Sequence, residues 1–129
     1  MMSYFFNVTA HPSTKWSTEQ LHAAHGQWAE SIVDMGFPQV PPTATTEDVQ
    51  RMAQAVLDDI KGHLQDSPAS CRVLVQGEMT LVYALVGMLK AAGHVPVAAC
   101  SERKSVETQD ASGATVKRSV FSFVGFRPY

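Results

Sequence analysis

Three short apolar runs decide what this chain can become. Tyr4–Thr9 (YFFNVT), Arg72–Gln76 (RVLVQ) and Val95–Cys100 (VPVAAC) are rich in β-branched and aromatic residues and nearly continuous in hydrophobicity. A run without a polar face belongs to a strand covered on both sides, as in parallel sheets whose crossover helices shield them. Between the runs lie stretches with helical spacing. The order strand, two helices, strand, helix, strand therefore constrains the chain to an α/β architecture.

The intervening stretches carry helix punctuation. His11-Pro12 ends the first run, because a residue before proline is pushed out of helical geometry. Ser17 is an N-cap with Gln20 three residues on, and Leu21, Ala24, Trp28, Ile32 and Met35 then share one helical face until Gly36. The spacing predicts one helix over this whole span. Phe37–Thr46 (FPQVPPTATT) has three prolines and no periodicity, so an ordered loop or short lid is expected. From a cap at Thr45 or Thr46, Val49, Met52, Ala53, Val56, Ile60 and Leu64 form an apolar stripe, with Glu47, Asp48, Asp58 and Asp59 on the other side. Met79–Ala92 is helical by length and ends at Gly93. Its apolar residues surround the axis, which predicts a helix wedged inside the domain or packed against a second subunit.

The chain should finish in a hairpin that turns at Asp110-Ala-Ser-Gly113 and returns along Thr115–Phe126. The whole predicts a single domain over residues 1–129: a Rossmann-like α/β sandwich with a mainly parallel sheet and a C-terminal β-hairpin. The first three strands should run parallel through right-handed crossovers. A hydrophobic fraction of 45% with 17% charged residues suffices for a core without staples.

Several function classes are disfavoured. A net charge of −2 argues against a binder of duplex nucleic acid, which would be basic. The charge is uneven, at −4 over residues 1–101 and +2 over 102–129, so an anionic ligand would be drawn to the C-terminal part. No apolar run reaches the ~20 residues of a membrane span, and the N-terminus lacks the basic-then-apolar pattern of a leader. Cys71 and Cys100 have no CxxC partner and read as free buried thiols, so a cytoplasmic protein is expected. His22 and His25 lie i, i+3 on a helix, but no third ligand is spaced to join them, and no metal or other cofactor is expected. Neither a GxSxG elbow, a GxGxxG fingerprint nor a GxxxxGK[ST] loop occurs.

The residues that could carry chemistry follow the apolar strands, because open α/β sheets bind ligands beyond the carboxyl ends of their strands. Thr9, His11, Ser13, Thr14 and Lys15 follow the first run. Gln76, Gly77, Glu78 and Thr80 follow the second, and Ser101, Glu102, Arg103 and Lys104 the third. Gly77 would let a ligand approach the backbone, and the free amides of the next helix favour an anion. Glu78 suits a ribose hydroxyl or an adenine amine, or simply caps the helix. Arg103 and Lys104 place positive charge where a phosphate would need it, Arg118 and Arg127 could approach from the hairpin, and His11 could act as acid, base or donor. A wholly structural account of these residues, as polar loops and surface charge, is the alternative.

Four segments carry a resemblance: Thr18-Glu19-Gln20 opening a helix, Val73–Glu78 (VLVQGE), Val95–Cys100 running into Ser101–Lys104 (SERK), and the terminal V-F-x-F-V-x-F-R-x-Y of Val120–Tyr129. Together they resemble the small stand-alone Csx-type accessory proteins of type III CRISPR loci, nearest the Csx-twenty group, which is related to the CRISPR-associated Rossmann-fold (CARF) sensors. The resemblance implies a ring nuclease. Such an enzyme cleaves cyclic oligoadenylate, above all cyclic tetra-adenylate, to linear products by metal-independent attack of a ribose 2′-hydroxyl, and so switches off antiviral signalling. It implies a homodimer facing the pseudo-symmetric ring. Carried across, Gln76, Gly77, Glu78 and Ser101 would line the ligand, joined by the strand-end candidates Thr9 and Thr80. Arg103 and Lys104 would be the phosphate-stabilising pair, with His11 orienting or deprotonating the 2′-hydroxyl. Met79 departs from the smaller residue of the family pattern. A non-catalytic sensor or sponge for the same messenger is the alternative, and an interaction module for an unrelated nucleotide a third.

Overall fold

The computed structural model describes residues 3–26, 29, 31–65, 67 and 69–129. In chain order the elements are β1 (Tyr4–Val8), a 3₁₀ turn (Ser13–Lys15), α1 (Thr18–His25), β2 (Ser31–Asp34), α2 (Thr46–Leu64), β3 (Arg72–Val75), α3 (Met79–Ala91), β4 (Val95–Gln109) and β5 (Thr115–Pro128). The five strands form one mixed sheet in the order β2-β1-β3-β4-β5. β1 pairs in parallel with β2 and β3, β3 in parallel with β4, and β5 closes the edge antiparallel to β4. The fold is therefore α/β. From β1 the chain first adds a strand on one side and then crosses to the other, so the strand order reverses between β1 and β3.

α2 and α3 cover one face of the sheet and α1 the other. On the first face, Val49, Ala53, Val56, Leu57 and Ile60 of α2 and Leu81, Leu85 and Leu89 of α3 pack on Phe6, Val8, Val73 and Val75. On the second, Ala24 of α1 and the half-buried Trp16 pack with Phe5, Leu74, Val97 and Phe126. Alternate residues of β1 and β3 thus serve opposite cores, and this is why those strands have no polar face. A fully buried side chain of this size contributes about 1.5–3 kcal/mol.

The start of α2 is fixed by a capping box: the Thr45 hydroxyl accepts from the Asp48 amide, and the Asp48 carboxylate accepts from the Thr45 amide. In α3 the leucines spaced i, i+4, i+8 are wholly buried, while Met79 and Tyr83 are 83% and 85% exposed. Only one side of this all-round apolar helix reaches the core, and the rest of its apolar surface faces outward.

Two expectations from the sequence are corrected. The helix predicted from Ser17 to Met35 stops at His25, where Gly26 leaves helical geometry at φ 44°. Ile32 does not extend α1; it sits in β2, opposite Phe5. The segment Ser31–Asp34 pairs as a fourth parallel strand because an open edge of β1 was available to β-branched Ile32 and Val33. Trp28, assigned to the same helical face, lies outside the described residues. The third apolar run also does not end at Cys100. β4 continues to Gln109, so Ser101, Glu102, Arg103 and Lys104 belong to a strand and not to a loop.

Candidate functional site

The turn after β1 is built by a knot of side chains. Buried Asn7 donates through Nδ2 to the His11 carbonyl and to Asp34 Oδ1, both at 2.8 Å. Thr9 Oγ1 donates to Asn7 Oδ1 at 2.8 Å and accepts from the His11 amide at 3.2 Å. Asp34, at the end of β2, accepts from the Ser13 amide at 3.0 Å and the Ser13 hydroxyl at 2.8 Å. Partial burial pushes the Asp34 carboxyl up, but the hydrogen bonds from Asn7 and Ser13 outweigh it and hold the group below its ordinary value. Thr9 is thus a structural residue, 6% exposed. What the knot presents outward is His11, Lys15 and Trp16.

Gln76 sits at the point where the strand order reverses. Its amide donates to the Val8 carbonyl of β1, and its side-chain Oε1 accepts from the Ala99 amide of β4 at 3.3 Å. Spanning from β1 to β4, it ties three strands together at the crest. The start of α3, by contrast, is already filled. Glu78 is the N-cap, its carboxylate accepting from the Thr80 and Leu81 amides at 3.0 Å each and from the Thr80 hydroxyl at 2.6 Å. These bonds from Thr80 and Leu81 hold its carboxyl below the ordinary range. The helix amides predicted to receive an anion are therefore occupied by Glu78, and Thr80 serves the cap. Gly77 faces the ring of Phe37: a Cβ there would lie 2.6 Å from three ring atoms. The glycine makes room for the proline-rich loop, which folds over the start of α3 and forms with it an open hollow lined by Phe37, Val40, Pro41, Gln76, Gly77 and Glu78.

On the α1 side of the crest lies an open cleft of about 410 Å³. Its floor is Thr9, Leu74, Gln76 and Ala99, one wall is His11, Lys15, Trp16, Ser17 and Gln20, and the other is Ser101, Phe121 and Phe123. The Ser17 hydroxyl accepts from the Gln20 amide at 3.2 Å, so the wall is set by the cap of α1. The far wall comes from the β4–β5 hairpin, which runs beyond the sheet as a two-stranded arm exposed along most of its length. A register shift between Cys100 and Ser101 marks where the arm leaves the sheet.

The arm separates Arg103 from Lys104. Neighbouring residues of a strand point to opposite faces, and the register puts Ser101, Arg103 and Ser105 on the cleft side with Phe123, Phe121 and Ser119. Lys104 lies on the outer side with Val106, Arg118 and Val120, its Nζ 3.7 Å from Glu102. Arg127, opposite Ala98, is likewise away from the cleft side. Arg103 donates through Nε and Nη2 to the Ser119 hydroxyl at 3.1 and 2.9 Å. The structure thus gathers His11, Gln76 and Ser101 around one cleft and points Arg103 the same way. It leaves Lys104 outside and turns Gly77, Glu78 and Thr80 to other work.

Sequence reasoning missed Trp16, Gln20, Phe121 and Phe123. The signal for the last two was present in the alternation Phe121-Ser122-Phe123, which places two rings on one strand face. At the opposite end of the sheet, His94 Nδ1 accepts from the Cys71 amide at 3.2 Å and lies 3.4 Å from the Cys71 sulfur. Burial pushes the Cys71 thiol up to about 12, and burial together with Lys61 lowers His94, so the pair is not an activated nucleophile. Among the described residues no group of three or more His, Cys, Asp or Glu side chains is placed to hold a metal, and no helix is long and apolar enough to cross a membrane.

Fold and site together define an α/β protein with a mixed sheet and an aromatic, partly cationic cleft where its strand order reverses. Residues 3–127 match the model of the Uncharacterized protein MJ1673 family, and the chain belongs to that family. No curated protein and no solved structure gives a significant match.

Proposed function

We propose that the crest cleft binds an adenylate-containing ligand, and that this ligand is a cyclic oligoadenylate, which the protein opens as a ring nuclease. The observation that carries the reading is the cleft itself. It stands where α/β sheets take nucleotides, and it joins three aromatic rings, Trp16, Phe121 and Phe123, to Lys15 and His11. Rings suit bases, and cations and hydroxyls suit phosphates and riboses. In this reading the sheet is a Rossmann-like, CARF-like variant, and the Csx-twenty-like segments supply the ligand class. The chemistry asks little of the protein. The 2′-oxygen attacks its adjacent phosphorus, the P–O5′ bond breaks, and the products carry a 2′,3′-cyclic phosphate and a 5′-hydroxyl. His11 takes the 2′-hydroxyl proton, solvent protonates the leaving 5′-oxygen, and Arg103 with Lys15 offsets charge at the phosphate. Lys104 drops out of the catalytic pair because it faces away.

Met79 and Tyr83 on the open side of α3 form a groove with Tyr129 and Gln76. A second copy seated there would bring two Gln76 crests together around a pseudo-symmetric ring. Binding without cleavage is the second reading. It is favoured by the fact that Arg103, the phosphate-stabilising residue of the first reading, is already engaged by the Ser119 hydroxyl.

The test is incubation with radiolabelled cyclic tetra-adenylate in EDTA, with products resolved. Linear diadenylate ending in a cyclic phosphate supports cleavage, tight binding of an intact ring supports the sensor or sponge, and no binding removes both. Arg103→Ala should slow cleavage by roughly 10²–10³, while Lys104→Ala leaves it unchanged; equal losses in both refute the assignment made from the arm's two faces. A monomer by sedimentation at micromolar protein with the ring bound would remove the paired arrangement.

A further inference from the structure

The arm's cleft-facing side has a composition unlike its outer side. Inward lie Ser101, Arg103, Ser105, Ser119, Phe121 and Phe123, with the Glu107–Lys117 pair further out on the same face, while Val106, Val116 and Val120 lie outward. Aliphatic side chains, which would seat a protein partner, are thus kept off the inner side. Phe123 meets Phe126 edge to face with centroids 5.0 Å apart, and Phe126 meets Phe5 at 5.0 Å and Trp16 at 6.4 Å. The series of packed rings runs out of the core as far as Phe123, and Phe121, the next ring on that face, stands beyond it, 70% exposed. An aromatic ring left open at the end of a packed series is an unfilled stacking surface. Phe121 and Phe123 are two residues apart on one strand, hence roughly 7 Å.

Directly across the ladder from Phe121 stands Arg103. Its two bonds to the Ser119 hydroxyl fix the guanidinium plane, and among the described residues Nη1 has no protein acceptor. Among the described residues the arm's carboxylates Glu102 and Glu107 pair with Lys104 and Lys117 instead. A held guanidinium beside an open ring is the donor set that takes a phosphate next to a stacked base.

We propose that the inner face of the β4–β5 arm reads a splayed single-stranded ribonucleotide, with Phe121 stacking one base and Arg103 holding the adjoining phosphate. This deepens the crest-cleft reading and rests on it. It moves part of the recognition off the sheet and onto the arm, and it makes the ligand longer than one nucleotide. The same chemistry could come from a closed ring or from an open strand, so both serve as probes.

Fluorescently labelled cyclic tetra-adenylate and linear tetra-adenylate are titrated by anisotropy across a salt series. Phe121→Ala should weaken binding of the better probe by roughly tenfold or more, with the salt slope unchanged. Phe121→Trp should retain affinity. Arg103→Gln should weaken binding and flatten the logarithmic salt slope by about 0.7, the loss of one phosphate contact on a single strand. Whichever probe binds more tightly identifies the source. Phe121 is largely solvent-exposed, so its variants should melt like the parent protein. If the parent binds and Lys15→Ala weakens it while both arm variants bind normally, the arm proposal is overturned and the cleft reading stands. If the parent binds neither probe, both are overturned.

Discussion

Gly77 offers a sharp test of why the start of α3 looks as it does. A Cβ at this position would stand 2.6 Å from Cε1, Cε2 and Cζ of Phe37, whereas carbon atoms rest at about 3.5–4.0 Å. The ring would have to withdraw by roughly 1 Å, and it packs against the α2–α3 core. Overpacking of this kind costs about 1–3 kcal/mol. Backbone strain adds nothing, since the positive-φ glycines are Gly26, Gly36, Gly93 and Gly113. Gly77→Ala should therefore lower stability by that amount when Phe37 is present. In a Phe37→Ala background the penalty should vanish, or even reverse by about 0.4–1 kcal/mol as the unfolded chain loses freedom. The double-mutant cycle should yield a coupling energy of at least about 1 kcal/mol, read from urea denaturation, where it moves the midpoint by roughly 0.3–1 M. An equal cost in both backgrounds would refute the reasoning.

Two further outcomes follow from the titrating groups. The carboxyl of Asp34 is depressed below its ordinary 3.8, so its contribution to stability is full above the unfolded value and disappears as pH falls through the folded one. Asp34→Asn should unfold at lower urea than the parent near neutrality, and the gap should close below about pH 4; a gap constant across that range contradicts the hydrogen-bond knot. Cys71, raised to about 12 by burial, should resist iodoacetamide at mildly alkaline pH in the folded protein and react once urea unfolds it; rapid native labelling would show that the thiol is open.

What the sequence made legible, and what it hid, divides along physical lines. Local signals worked. The caps at Ser17 and Thr45, the stripe of α2 and the turn at Asp110–Gly113 all depend on residues within a few positions of one another. β2 was hidden because Ile32 and Met35 fit the helical face of Leu21 and Ala24 as well as they fit a strand. The choice was made by a distant event, the open edge of β1. The same holds for the site. His11, Gln76 and Ser101 follow strands, and the strand-end rule brings them to one crest. Arg103 and Lys104 looked like a loop pair because nothing local marks Cys100 as the middle of a strand; only pairing with β5 carries β4 onward and turns the two cations apart. The cap by Glu78 on Thr80 and Leu81 is local and was legible as one of two readings, whereas the job of Gly77 depended on Phe37, forty positions away.

β4 starts at exposed Val95, crosses the core at wholly buried Val97, and ends at Gln109 in solvent with no break in the chain. Such a strand is a lever. From Ser101 to Gln109 it reaches about 27 Å, so a tilt of about 10° at the bulge sweeps the tip through about 5 Å. Whatever grips the far end therefore tugs, through continuous peptide, on a strand that packs against β3. Amide exchange around Leu74 and Val97 would register an event at the tip without any hinge loop between them.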